Sequence, residues 1–264
     1  PRGSLLLGIA GRLQRDQLGT FEQVTAEYGD VVRLVVGPPG LRRVLYLVTH
    51  PDGVEQVLAG DPGSYSKNTP FYEEVAAYLG NGLLTSDGQQ WRQQRRMVAP
   101  LFSRRHIDGY VDVMGEEAAR LANSWSTAAG QGASVDVNAA MVDYALRTVG
   151  RVLFGADVTD AVPVIRATFP ILNQHVRRRG ISPLRLPRQW PTPSQIRAAA
   201  ARRALYDVVD AVIERRTGGS ARGQDLISLL LAARDPETGA QLSRQEIRDQ
   251  VLIFLLAGHE TTST

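Results

Sequence analysis

The sequence predicts a mainly α-helical domain with a small β hairpin near its N-terminus, and three observations carry that prediction. Apolar residues recur at helical spacing through most of the chain beyond residue 88. Two β-branched, alternating runs, 31–37 and 42–50, flank a Gly-Pro-Pro-Gly turn, which is the pattern of a hairpin. Hydrophobic residues make up 43% and charged residues 22% of the chain, ordinary globular values that exclude a disordered segment. At 264 residues the chain is long enough to bury a sizeable core, and with no repeat or clean linker it reads as one domain over 1–264.

In chain order, residues 17–30 read as a short amphipathic helix ending near Gly29, and the hairpin follows. The segment 51–60 opens on Pro51 and closes on Gly60, the end residues a helix favours. Helices are then expected at about 88–102, 104–128, 139–155, 161–178, 194–217, 224–234 and 243–264, with a lone strand at 133–138. Two starts are well signed. Thr192-Pro193 with Gln195 places Pro at a first helical position, and Ser243 with Glu246 forms a capping box. Residues 177–193 carry four prolines and little periodicity. They read as a long surface loop of the kind that serves as a lid or binding element.

Composition removes several function classes. The net charge is only +3, and of 30 basic residues Lys67 alone is lysine. The basic excess is small, dispersed and not interleaved with aromatics, so nucleic-acid binding is not expected. No cysteine is present, which rules out disulfides, thiolate metal sites and a Cys nucleophile within these residues. The first apolar run, 5–10, is far too short to span a bilayer. No membrane anchor or secretory leader is read, and a cytoplasmic location is expected.

Two stretches carry chemistry. In "QVLIFLLAGHETT" (250–262) an apolar helix reaches Ala257 and Gly258 and then presents Glu260, Thr261 and Thr262. Glycine within a helix costs ~1 kcal/mol against alanine, so close approach is expected at Gly258. A threonine hydroxyl at 261 can bond back to the carbonyl of Ala257 and open a groove. Groove, acid and alcohol suit proton delivery to a small bound ligand; a plain helix crossing at Gly258, with threonines filling space, is the competing reading. The His259-Glu260 pair is not a zinc-protease signature, because Ser263 stands where H-E-x-x-H needs its second histidine. No metal site is predicted. The chain stops inside this helix without a Gly or Asn past its last turn, so the helix is expected to continue past Thr264.

The second stretch is "SDGQQWRQQRRMVAPLFS" (86–103). Trp91 and Arg95 lie four apart and share a helix face. An indole N–H and a guanidinium are both donors and can clamp a carboxylate; alternatively they form a surface cation–π pair. Arg92 and Arg96 point elsewhere and form a second basic ridge.

Together these stretches resemble the cytochrome P-450 superfamily. "NGLLTSDGQQWRQQRRMVAPLFS" is similar to its propionate-gripping helix with the W-x-x-x-R signature, and "LLAGHETT" is similar to its oxygen-activating A-G-x-D/E-T-T/S helix. The hairpin and "FYEEVAAYLG" (71–80) also fall in the family's order. The resemblance implies the family's fold, with the chain covering its N-terminal part and ending inside the oxygen-activating helix. It implies a haem-thiolate monooxygenase that inserts one oxygen atom of dioxygen into an apolar small molecule. It implies haem b as cofactor and NAD(P)H electrons arriving through a ferredoxin or flavin-type donor, with the Arg92/Arg96 ridge as a docking feature. Trp91 and Arg95 would bind propionates, and Ala257 and Gly258 would flank the oxygen groove. Glu260 and Thr261 would be the catalytic acid–alcohol pair, while Phe71, Leu83 and the 169–193 region would shape the substrate pocket. The family's axial cysteine and its E-x-x-R pair come later than the oxygen helix. Glu117 and Arg120 match the latter letters far upstream and are read as coincidence. An inactive, haem-free helical fragment or an interaction protein is the alternative, and the isolated chain would expose an apolar ridge of Val251, Phe254 and Leu255.

Overall fold

The computed structural model describes residues 1, 3–4, 7–60, 63–155, 161–182, 186–217 and 225–263. Helices α1 (Ala10–Arg15) and α2 (Gln17–Tyr28) precede strands β1 (Val31–Val36) and β2 (Arg43–Val48). Then follow α3 (Pro51–Ala59), α4 (Pro70–Leu79), α5 (Gly88–Val98), a 3-10 turn (Ala99–Phe102), α6 (Arg104–Asp108), α7 (Val111–Gly130) and α8 (Val137–Phe154). The rest is α9 (Val162–Ile181), α10 (Pro193–Thr217), α11 (Leu226–Ala232) and α12 (Arg244–Ser263).

The hairpin is antiparallel, pairing Val31 with Val48 and Val36 with Arg43. Strand side chains alternate between faces, so Val32, Leu34 and Val36 all point inward. With Ile9, Ala10 and Val24 they form a small core of their own. A second, larger core joins α4, α5 and α8 to α12. Its fully buried members include Leu146, Ile165, Leu205, Ile213, Ile227 and Leu252.

Sequence logic is visible at the helix starts. Asp16, Asp87 and Asp136 cap α2, α5 and α8 through their carboxylates, each satisfying a backbone N–H that the helix leaves open. The capping box of α12 closes as expected, with the Ser243 N–H donating to Glu246 Oε2 at 2.8 Å and the Glu246 N–H to Ser243 Oγ at 3.2 Å.

Several expectations need correction. No strand forms at 133–138, because Asp136 takes the cap position and Val137 starts a helix. The helix expected over 88–102 ends at Val98, since Pro100 lacks the N–H that another turn requires. The 104–128 helix divides at Gly109 and Tyr110 into α6 and α7. Helix α9 runs on to Ile181, well into the loop expected from residue 177; residues 183–185 of that loop lie outside the described residues. The apolar ridge on α12 is not exposed. Val251 is 0% and Leu255 1% exposed, buried against the larger core, and only Phe254 is left half-buried. Helix α1, absent from the sequence reading, is a six-residue turn at the edge of the small core.

Candidate functional site

Helix α12 is held by buried polar contacts in its first half and carries exposed polar groups near its end. Asp249, 3% exposed, accepts the Asn81 N–H at 2.7 Å, and Gln250, fully buried, accepts the Leu83 N–H at 3.0 Å. Burial pushes the Asp249 carboxyl up from its ordinary range, and the Asn81 hydrogen bond opposes it only in part. The backbone of 80–83 therefore lies directly on α12. A Cβ on Gly80, whose φ is +82°, would stand 2.0 Å from Asp249 Oδ1, and one on Gly82 would stand 2.6 Å from Ile253 Cδ1.

Further along, Gly258 is where α12 crosses α8. A Cβ there would meet Val149 Cγ2 at 2.5 Å, so the helix crossing alone accounts for the glycine. Beside it opens an apolar cleft of about 500 Å³, lined by Ala257 and Gly258 of α12, by Val149 and other residues of α8, and by Phe102 and Phe254. Those two rings meet with centroids 5.3 Å apart. They join the end of the α5 segment to α12. One turn past Ala257, the Thr261 hydroxyl donates to the Ala257 carbonyl at 2.6 Å, the back-bond anticipated from the sequence. Glu260 and Thr261 are both exposed. Glu260 Oε1 accepts from Asn173 Nδ2 of α9 at 3.0 Å, beside a second cavity of about 410 Å³.

On α5, Trp91 and Arg95 stand together, the guanidinium carbon 5.2 Å from the ring centroid. Among the described residues neither side chain has a hydrogen-bond or carboxylate partner. Lys67 Nζ lies on the same ring at 5.7 Å and donates to the Leu83 carbonyl at 3.2 Å. Burial lowers the Lys67 pKa, and the nearby Asp87 carboxylate partly offsets this. Sequence reasoning missed Lys67, although a signal existed: it is the one lysine in a chain whose other basic side chains are arginine. The outward basic ridge does not form. Arg96 turns inward and makes a two-pronged pair with Asp235, Nε to Oδ1 at 2.9 Å and Nη2 to Oδ2 at 3.0 Å. It also reaches Glu237 at 3.0 Å, leaving only Arg92 exposed on that side.

Phe71 and Leu83 sit apart from these cavities. Phe71 packs under α9, where a Cβ on Gly180 would come 2.6 Å from its ring. The Leu83 side chain rests on the larger core. Glu117 is 2% exposed and pairs with Arg151 of α8 at 2.8 Å and Arg120 at 3.7 Å, a tie between α7 and α8. No group of metal-ligating side chains occurs among the described residues, and none of their helices is long and apolar enough to cross a membrane.

The cytochrome P450 family model matches residues 1–264. Cyclooctatin synthase of Streptomyces melanosporofaciens is 36% identical over 100% of this chain and 56% of its own length. Pentalenene oxygenase of Streptomyces avermitilis is 33% identical over 98% of this chain and 55% of its own. In structure, the haem domain of cytochrome P450DA superposes with a TM-score of 0.76 at 28% identity, covering 93% of this chain and 52% of that one. The chain spans about half the length of the curated relatives it matches. It belongs to the cytochrome P450 family and has that family's fold.

Proposed function

We propose that this chain forms the distal, dioxygen-side part of a haem-dependent monooxygenase that inserts one oxygen atom of dioxygen into an apolar organic molecule. The observation that carries the proposal is the end of α12: an apolar cleft at Ala257–Gly258, a threonine hydroxyl turned back onto the helix, and an exposed carboxyl beside it. The residues present fit a haem. The cleft offers an apolar wall, Trp91 and Arg95 offer donors that no carboxylate of the described residues engages, and Lys67 stands on the same ring with its ammonium bonded to the Leu83 carbonyl. Haem b, when bound, supplies the iron that activates dioxygen; its thiolate ligand would come from outside these residues, which contain no cysteine.

The chain's own residues then divide the work. Arg95 and Lys67, with the Trp91 N–H, hold the two propionates. Ala257 and Gly258 keep the cleft floor small. Glu260 takes up a proton from solvent and gives it up on the cleft side, while the Thr261 oxygen, whose O–H donates to Ala257, has lone pairs open to accept a hydrogen bond and orient what receives that proton. Electrons derive from NAD(P)H through a ferredoxin or flavin-type donor, and a cytoplasmic location suits that supply. The names of the Streptomyces relatives favour cyclic hydrocarbon-like substrates.

Thr261→Ala in the whole protein tests the proposal. It should retain substrate binding and divert reducing equivalents from product to peroxide. Full coupling of electrons to product in Thr261→Ala would sink the acid–alcohol assignment. In the same protein Arg92→Ala should leave haem content unchanged.

A further inference from the structure

Lys67 is anchored at both of its ends. Its backbone N–H donates to Asp87 Oδ2 at 2.8 Å, at the start of α5, and the same oxygen accepts the Ser66 hydroxyl at 2.7 Å. Its ammonium donates to the Leu83 carbonyl at 3.2 Å and stands 5.7 Å from the Trp91 ring centroid. Leu83 is in turn held by α12, where its N–H donates to Gln250 Oε1 at 3.0 Å. Gln250 is 0% exposed and lies next to the fully buried Val251 and Leu252. Its Nε2 has no hydrogen-bond partner among the described residues. A buried polar atom without a partner is costly. The one bond that Gln250 does make is therefore the place to look for its role.

We propose that Gln250 is a positioning residue for Lys67: by fixing the backbone at Leu83 it places the carbonyl that keeps the ammonium over Trp91. Helix α12 thereby presets one donor of the propionate clamp on α5. The inference rests on the reading of Lys67 as a propionate donor. A lysine head rides on a flexible four-carbon stem, and ordering that stem costs rotamer entropy. A head placed in advance avoids that cost when haem binds. The bond to Asp87 fixes only where the stem starts. The Leu83 carbonyl fixes where it ends, and it does so only while residue 83 is itself fixed. Other bonds hold the residues just before it, the Asn81 N–H to Asp249 at 2.7 Å and Gln94 Nε2 to the Asn81 carbonyl at 2.9 Å. The bond from Gln250 acts at residue 83 directly. The holder of the ammonium is also a neutral carbonyl, which takes one of its three N–H donors and leaves its charge for a propionate.

The test reads haem release from the whole protein to apomyoglobin, together with the urea midpoint of the same samples. Gln250→Met keeps the length of the side chain and removes the acceptor, and Gln250→Leu serves in the same way should the methionine variant not fold. Gln250→Glu keeps an acceptor oxygen. Gln250→Met should speed haem release several-fold, and Gln250→Glu should bring it back toward the wild-type rate. In the Lys67→Ala background Gln250→Met should add nothing, whereas its effect should persist in full beside Arg95→Ala, which shares the ring but not the Leu83 carbonyl. If Lys67→Ala leaves haem release unchanged, the reading of Lys67 falls and the inference falls with it. If Lys67→Ala speeds release while Gln250→Met does not, or Gln250→Met acts equally in every background, the inference is overturned and the role of Lys67 stands. A Gln250→Glu protein that folds and releases haem as fast as Gln250→Met overturns it as well. Arg96→Ala, which loosens the frame without touching Leu83, is the control for stability. Haem release that follows the urea midpoint alike in Gln250→Met and Arg96→Ala refutes placement of the ammonium.

Discussion

Arg95 and Arg96 are neighbours in the sequence with opposite fates in the structure. Arg96 is locked inward on Asp235, whose side chain is fully buried, while Arg95 lies outward on Trp91 with no carboxylate partner among the described residues. The two halves of α12 repeat the contrast. Asp249 and Gln250 are engaged by the backbone of 81–83, whereas Glu260 and Thr261 are exposed at the other end. Buried polar groups engaged within the chain build the frame, and the exposed ones, whatever bonds they also make to the chain, are placed to face what it binds. Mutations on the two sides should therefore separate stability from ligand retention.

The largest loss of stability is expected on the engaged side, at Gly80. Its φ of +82° is a region that side chains avoid, and a Cβ would stand 2.0 Å from the Asp249 carboxylate. Backbone strain of about 1–3 kcal/mol adds to overpacking of similar size. Gly80→Ala should lower the urea midpoint more than Gly258→Ala or the truncation of either arginine, and a midpoint near wild type would show that 80–83 is not pinned to α12.

Gly258→Ala comes next. The added carbon would meet Val149 at 2.5 Å, a cost of roughly 1–3 kcal/mol. Val149→Ala on top of Gly258→Ala should recover part of it. Absence of recovery would move the role of Gly258 from the helix crossing to the open cleft.

Of these two glycines only Gly258 was legible in the sequence. Gly258 announced itself as a glycine inside an apolar helix, and the Thr261 back-bond followed from spacing alone. The capping residues and the hairpin were legible for the same reason: their partners lie a few residues away. The fate of Arg96 was not, because Asp235 is 139 residues distant in the chain. Nor was the burial of Val251 and Leu255, which depends on how α12 sits against the larger core. The meeting of Asn173 with Glu260 also spans 87 residues and left no local trace. Spacing put Trp91 and Arg95 on one face of α5, where they stand, and it misjudged which of their neighbours would be drawn inward.

Acid should weaken the engaged side through Asp235. Hydrogen bonding to Arg96 holds the Asp235 carboxyl down to about 2, against its ordinary 3.8. A carboxyl whose folded-state pKa is depressed stabilises the fold above its unfolded value and loses that contribution as pH falls through the folded one. The Arg96–Asp235 contribution should thus be complete above pH 4 and vanish between about 4 and 2. Asp235→Asn should lower stability at pH 7 and flatten the acid limb in that window. An unchanged acid limb would mean the pair contributes nothing to folding.

The smallest effect on stability is expected at Arg95, and the argument for it completes the contrast. The side chain is exposed and its only described contact is the Trp91 ring at 5.2 Å. Such a cation–π contact at the surface is worth about 0.5–1 kcal/mol, and Lys67 still lies on the same ring after truncation. Arg95→Ala should therefore move the urea midpoint barely at all. Haem retention should behave differently, because a propionate that loses its charged donor in a water-poor site costs roughly 1–3 kcal/mol. The whole protein carrying Arg95→Ala should fold normally and release haem faster to an acceptor such as apomyoglobin, and Lys67→Ala should do the same to a lesser degree. Arg96→Ala should reverse the pattern, lowering the urea midpoint with a smaller change in haem release. If Arg95→Ala instead lowers stability and leaves haem release unchanged, the outward face of α5 belongs to the frame and the contrast between the two arginines does not hold.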